Sequence, residues 1–218
     1  ATVVVSNVID AKDDSYTPAQ VLNTATTVGT VTANDILNGV LVTAANTDVT
    51  PVSAGPLSID SEGVLTLAAN TPSGTYTIAY QLCEVGANPS NCDTATATVV
   101  VSNVIDAKDD SYTPAQVLNT ATTVGTVTAN DILNGVLVTA ANTDVTPVSA
   151  GPLSIDSEGV LTLAANTPSG TYTIAYQLCE VGANPSNCDT ATATVVVSNV
   201  IDAKDDSYTP AQVLNTAT

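Results

Sequence analysis

The chain contains no histidine, phenylalanine, tryptophan, methionine or arginine, and its only cationic side chains are Lys12, Lys108 and Lys204. Without histidine there is no imidazole to act as a general base, and no Gly-rich phosphate loop follows a strand and opens a helix, so the common routes to catalysis are missing. Three lysines against 21 acids give a net charge of −18. Nucleic acid and anionic membrane surfaces are poor partners for such a chain, because binding either depends on clustered cations. No apolar run reaches membrane-spanning length and no leader peptide is evident. What remains is Val, Ala, Leu and Ile beside abundant Thr, a mixture that favours strands.

The second property is periodicity. Residues 1–96 are identical to 97–192, and 193–218 repeat 1–26. An acidic stretch marks each period: Ile9 to Tyr16, Ile105 to Tyr112 and Ile201 to Tyr208. A 96-residue period suits one small domain with its own core. The expected division is 1–9 as the last strand of a preceding repeat, 10–105 and 106–201 as two identical repeats, and 202–218 as the start of another. The out-of-phase ends read as an internal window of a longer polypeptide.

Within a period, turn residues punctuate seven short strands. Ser15 to Val21 reads as extended but carries Pro18, which suits an edge. Gly29 to Ala33 is a second strand, and Asn38-Gly39 is a strong hairpin signal. Val40 to Asp48, Leu57 to Asp60 and Val64 to Ala68 follow, with Thr50 to Pro56 as a connection. The last hairpin alternates most clearly: Tyr76, Ile78, Tyr80 and Leu82 share one face, as do Ala95, Ala97, Val99 and Val101 on the returning strand. The fold class is therefore all-β, with tandem immunoglobulin-like β-sandwich domains in series.

Cys83 and Cys92 fall on the same outward face at the two mouths of the loop from Glu84 to Asn91, so a disulfide staple is expected, repeated as Cys179 with Cys188. Closing a loop of this size contributes about 2.5–3 kcal/mol in the chain-entropy model. A metal site is the competing reading, but no His or third cysteine accompanies either pair. Paired cysteines in every period imply an oxidising, extracellular or cell-surface location.

Four runs recur in fixed order: Asp-Asp-Ser-Tyr from Asp13, Gly-Thr-Val-Thr-Ala-Asn-Asp from Gly29, Gly-Thr-Tyr-Thr-Ile-Ala-Tyr from Gly74, and Asp-Thr-Ala-Thr-Ala-Thr-Val-Val-Val from Asp93. In this the chain resembles the tandem immunoglobulin-like or cadherin-like repeats of giant cell-surface adhesins of bacteria, most closely those of gliding and biofilm-forming Bacteroidota. The resemblance spans every repeat. It implies an extended stalk at the cell surface with calcium at the joints, and it leaves the adhesion target open.

The placement of charge bears on that implication. In a seven-strand sandwich the loops holding Asp35, Asp60, Glu62, Glu84 and Asp93 lie at the pole where the chain enters, beside Asp10, Asp13 and Asp14, leaving only Asp48 for the far pole. So many carboxylates together repel one another unless a cation intervenes, and calcium takes six to eight oxygens. The candidate calcium ligands are Asp106, Asp109, Asp110 and Asp131, with Asp156, Glu158 or Glu180 as additions, and Asp10, Asp13, Asp14 and Asp35 one period earlier. The plain reading is a solvated acidic linker, since no spacing matches an EF-hand loop. Asp93-Thr94-Ala95 and Asp189-Thr190-Ala191 resemble a short bacterial O-glycosylation motif, making Thr94 and Thr190 candidate acceptors on outward-facing positions.

Three readings of function follow, none enzymatic. The first is a structural stalk whose partners are neighbouring identical repeats. The second is a repeated glycan-binding or cell-binding module acting by avidity. The third is the subunit of an extracellular fibre, built from other copies by β-strand addition.

Overall fold

The computed structural model describes residues 2–19, 23–114 and 119–209. Within the first period it contains β1 (Ile9–Asp10), β2 (Asp14–Tyr16), β3 (Thr26–Thr30), β4 (Ile36–Leu37), β5 (Val40–Leu41), β6 (Thr47–Val49), β7 (Val52–Ala54), β8 (Leu57–Ile59), β9 (Val64–Leu67), β10 (Gly74–Glu84) and β11 (Cys92–Val101). The same eleven recur 96 residues later as β12 to β22, from Ile105–Asp106 to Cys188–Val197. No helix is present among the described residues, and none is long and apolar enough to cross a membrane.

Each period forms a sandwich. One sheet has the order β2-β11-β10-β6 and the other β3-β9-β8-β7, with a small third sheet, β1-β4-β5, at the entrance. Strand β2 runs parallel to β11 and every other pairing in the period is antiparallel. The β10–β11 register sets Tyr76 opposite Val99, Ile78 opposite Ala97 and Tyr80 opposite Ala95, so the alternation seen in the sequence becomes one apolar inner row. That row meets Leu57, Ile59, Leu65 and Leu67 of the facing sheet in a dry core. The second period repeats it with Leu153, Ile155, Leu161 and Leu163.

The sandwich is as expected from the sequence, but more finely divided. The segment Val40 to Asp48 breaks in two, because Thr43 N–H donates to Asn46 Oδ1 and Thr47 N–H to Thr43 O, a local turn between β5 and β6. The strand expected at Gly29 to Ala33 lies earlier, at Thr26 to Thr30, with a bulge between Thr27 and Gly29. Gly29 is required there: a Cβ would sit 2.7 Å from Cε1 of Tyr16, whose ring covers it. The connection Thr50 to Pro56 contains β7, which pairs back on β8 around Gly55. Strand β2 ends at Tyr16, before Pro18, and residues 20–21 of the expected extended segment lie outside those described. The Asn38-Gly39 hairpin forms as read, both residues adopting positive φ, 51° and 78°.

Two features fix how the periods meet. β11 and β22 each run from the entering pole to the leaving pole, so modules connect head to tail, a ten-residue strand spanning about 33 Å. Only Ser102, Asn103 and Val104 separate β11 from β12. Ile105, which directly follows, is buried in the core of the second period.

Candidate functional site at the acidic pole and the module joint

The acidic stretch ties the incoming chain to the sandwich that follows it. Ala107 N–H donates to Asp189 Oδ2 at 2.9 Å and Lys108 N–H to Asp131 Oδ1 at 2.7 Å. Asp109 Oδ1 accepts Thr192 N–H at 2.8 Å. These carboxylates thus occupy backbone donors that an irregular entry segment would otherwise leave unmet. All of these partners belong to one module.

At the centre of the pole lies the hydroxyl of Tyr176, on β21 (Gly170–Glu180). It is within 3.0 and 3.2 Å of the two oxygens of Asp131, 3.4 Å of Asp110 Oδ2, 3.0 Å of Val127 O and 3.2 Å of Lys108 O. A phenol has a single proton to donate, so five acceptors compete for it. Asp131 is fully buried. Burial, reinforced by the Asp131 charge, lifts the Asp110 carboxyl to about 6 in spite of its hydrogen bonds from Tyr112 and Tyr176. Burial likewise raises Asp131 above the usual carboxylate range, partly opposed by the Lys108 N–H and the Tyr176 hydroxyl. Tyr176 is pushed above its ordinary value by burial and then by Asp131 and Asp110. Tyr80, Asp14 and Asp35 repeat the arrangement in the first period.

The candidate calcium ligands are therefore split. Asp110 and Asp131 converge, as do Asp14 and Asp35. Asp106 instead faces Lys108 Nζ at 3.9 Å, with both side chains nearly half exposed, and Asp10 faces Lys12 in the same way. Asp109 and Asp13 cap the backbone N–H groups of Thr192 and Thr96. Asp156 caps its own turn through Glu158 N–H and Val160 N–H. Among the described residues no group of three or more His, Cys, Asp or Glu side chains is disposed to hold a metal. Asp48 stands opposite Cys83 in the β6–β10 pairing, at the entering end beside Glu84, and does not mark the far pole. A long β6 leading away from the entrance would have carried it there, but the strand is only three residues.

Glu180 belongs to a different arrangement, the contact between modules. Its Oε1 accepts Asn103 Nδ2 at 2.5 Å and Ser73 N–H at 3.2 Å, and its Oε2 accepts Asn187 Nδ2 at 2.8 Å. Ser73 lies in the turn before β10 of the first module, so the carboxylate reaches across the joint. Asn184 N–H donates to Ser73 O at 2.9 Å, and Asn187 Nδ2 to Asn103 O at 3.0 Å. Asn103 is locked from all sides: its N–H goes to Ser73 Oγ, its Nδ2 also to Thr71 O, and its Oδ1 accepts Asn134 Nδ2. Pro72 lies against Gly182, where a Cβ would meet its ring at 3.2 Å. The joint is thus a buried carboxylate held by neutral amides. Sequence reasoning assigned Asn38, the equivalent of Asn134, to a turn alone and passed over Asn103 and Asn187. The available signal was a Glu at the same pole as several asparagines in a chain almost without cations.

Both cysteine pairs are bonded, Cys83 to Cys92 and Cys179 to Cys188, each stapling the loop that carries the joint asparagine. Thr94 and Thr190 are exposed on the outer face of β11 and β22.

No protein-family model matches this sequence. No curated protein matches it either. Among solved structures, Drosophila N-cadherin EC1-4 is similar over 89% of this chain and 50% of its own, at 12% identity and a TM-score of 0.35. A protocadherin gammaB7 EC3-6 cis-dimer structure is similar over 88% of this chain and 49% of its own, at 14% identity and a TM-score of 0.35. Mouse clustered PcdhgC3 EC1-3 is similar over 88% and 68%, at 14% identity and a TM-score of 0.33. The chain spans about half the length of the first two.

Proposed function

We propose that this chain is part of the stalk of a secreted or cell-surface bacterial adhesin, a non-catalytic run of modules that holds a binding tip away from the cell for adhesion, gliding or biofilm formation. The observation that carries the reading is the joint. A three-residue connector and a carboxylate bonded across the gap give neighbouring modules a defined orientation, which a spacer requires and a flexible string of independent binding units does not. Small-angle scattering tests it. Two modules in series should give a maximum dimension of about 70 Å or more, and a side-by-side profile would exclude the stalk.

A second reading concerns the cation. Five oxygens around one hydroxyl favour uptake of positive charge, and Asp110 with Asp131, and Asp14 with Asp35, are the residues that could hold calcium, with the carbonyls of Lys108 and Val127 in the second module. Asp106, Asp109, Asp10 and Asp13 are engaged elsewhere and would have to move to join them. Calorimetric titration with calcium, and melting with and without chelator, decide the matter: no heat and no change in melting remove the metal. Glycans on Thr94 and Thr190 are supported by their exposure alone, and an intact mass equal to the bare polypeptide would remove them.

A further inference from the structure

Strand β10 is eleven residues long, yet only one of its sides is paired throughout. Strand β11 lines it from Gly74 to Cys83, whereas β6 covers the other side at Leu82, Cys83 and Glu84 alone. Thr50 N–H adds one bond, to Gln81 O at 3.2 Å, after which the chain crosses to β7 in the facing sheet. Glu84 N–H donates to Asn91 O on the β11 side, while Gln81 O accepts on the β6 side, so the odd-numbered residues of β10 turn their backbone groups away from β11. The N–H and C=O groups of Thr75, Thr77 and Ala79 therefore form an edge on which no strand lies among the described residues. All three side chains are exposed. Where β6 ends, a notch of about 280 Å³ opens beside Pro51, Val52, Ala79 and Gln81. The second module repeats the edge at Thr171, Thr173 and Ala175, since β17 (Thr143–Val145) pairs with β21 only from Leu178 to Glu180. The first module has its successor docked and the second its predecessor, and the edge is open in both, so an adjoining repeat does not fill it.

Sheet edges in natural proteins are blunted by charge, proline or a bulge. From Gly74 to Cys83 this one has no charged residue and no proline, and its register with β11 is unbroken, in a chain of net charge −18. We infer that the edge is a self-recognition surface, on which the same edge of a second copy of this chain pairs antiparallel about Thr77, or about Thr173 in the second module. Two properties select that occupant. Under a twofold axis through Thr77, Thr75 meets Ala79 of the second copy, and every outward N–H and C=O on both sides finds a partner. The same register sets Tyr76 against Ile78 of the second copy, an aromatic and β-branched cross-strand pair. Charge selects the direction. Antiparallel pairing holds Cys83, at the acidic pole, about 40 Å from its equivalent, several screening lengths away, whereas a parallel partner would set the two acidic poles side by side. The contact is short, so each one is weak and the number of modules engaged sets its strength. It uses no residue of the joint, and stands apart from the stalk reading.

Single added cysteines test the register, because all four native cysteines are already paired. Facing residues of a hydrogen-bonded pair stand about 5.5 Å apart at Cα, within disulfide range. On mild oxidation Thr77→Cys chains should dimerise several-fold faster than Thr75→Cys or Thr98→Cys chains, and Thr75→Cys mixed with Ala79→Cys should give the mixed dimer in excess. Thr98 is the control because it lies opposite Thr77 on β11, whose other side carries β2. Sedimentation equilibrium of the full chain supplies the second measurement. Thr77→Glu with Thr173→Glu sets like charges opposite each other and should return the chain to monomer, while Thr98→Glu with Thr194→Glu adds the same charge to the same face and should leave association in place. Added salt should strengthen the wild-type contact by screening the repulsion between two acidic chains. Melting temperatures near that of the wild type show that the variants fold. Equal dimer yields at the three cysteine positions would overturn the inference, as would an association that Thr77→Glu with Thr173→Glu leaves unchanged, or a wild-type chain that stays monomeric at millimolar concentration.

Discussion

Two poles of identical sequence stand in different surroundings, and the contrast isolates what a neighbour contributes. At the first, Asn7, Leu37 and Glu84 remain partly open to water. At the second, Asn103 and Glu180 are 7% exposed and Leu133 only 1%. Because no residue differs, these changes come from the adjacent module alone. Docking buries one carboxylate, an amide and part of an apolar side chain, and it supplies Glu180 with one partner that Glu84 lacks, the Ser73 N–H. A polar group buried with partners in place costs little, whereas the same group stripped of them is costly. The second pole is therefore the one where single substitutions should be felt.

The contrast is broken most strongly at the apolar edge of the joint. Leu133→Ala should cost about 2–5 kcal/mol, against about 1–2 kcal/mol for Leu37→Ala, whose side chain is partly open to water. Calorimetric unfolding should show one of two transitions lowered in the first variant and a smaller displacement in the second. Removing either disulfide should cost about 2.5–3 kcal/mol whichever module carries it, because the closed loops are the same length. Unequal losses for Cys83→Ala with Cys92→Ala and for Cys179→Ala with Cys188→Ala would mean that the staple supports the joint as well as its own loop.

Glu180→Ala should cost about 1–3 kcal/mol by stranding the donors of Asn103, Asn187 and Ser73, while Glu84→Ala should stay within about 0.5 kcal/mol. Equal effects in denaturant titrations would show that the modules do not rest on one another. Smallest, and common to both modules, is a response to acid. Burial raises the carboxyls of Asp14 and Asp110 to about 6 from an ordinary value of 3.8. Between those values the folded protein holds more protons than the unfolded one, so these groups make stability fall as pH rises from about 4 to 6 and level off above. Asp110→Asn should flatten that slope in the second module and raise its melting temperature at pH 7. An unchanged slope would show that the crowded hydroxyl is relieved in some other way.

The sandwich was legible because its signals are local. The alternation Tyr76, Ile78, Tyr80, Leu82 fixes an inner row within one strand, and Asn38-Gly39 fixes a turn within two residues. The acidic pole was half legible. Chain order brings Asp106, Asp109, Asp110 and Asp131 to one end, but a single hydrogen-bond choice sends Asp109 to Thr192 and Asp110 to Tyr176, and no spacing encodes that. The joint was the least legible part. Glu180, Asn103 and Ser73 are far apart in sequence, and they meet only because the end of one module is seated on the start of the next. Asp48 was misplaced for a related reason, since the turn at Thr43 to Asn46 cannot be told from a continuing strand by composition.

The three-residue connector has a consequence of symmetry. If every joint in a long run is built like the one at Asn103, then one rotation and one translation carry each module onto the next, and repeating a fixed screw operation generates a helix whatever its angle. Thr94, Thr190 and their equivalents would then follow a regular spiral around the axis. Inserting one residue beside Asn103 and at the equivalent place in every joint would change the pitch of the whole array, although it would leave every module's own fold intact.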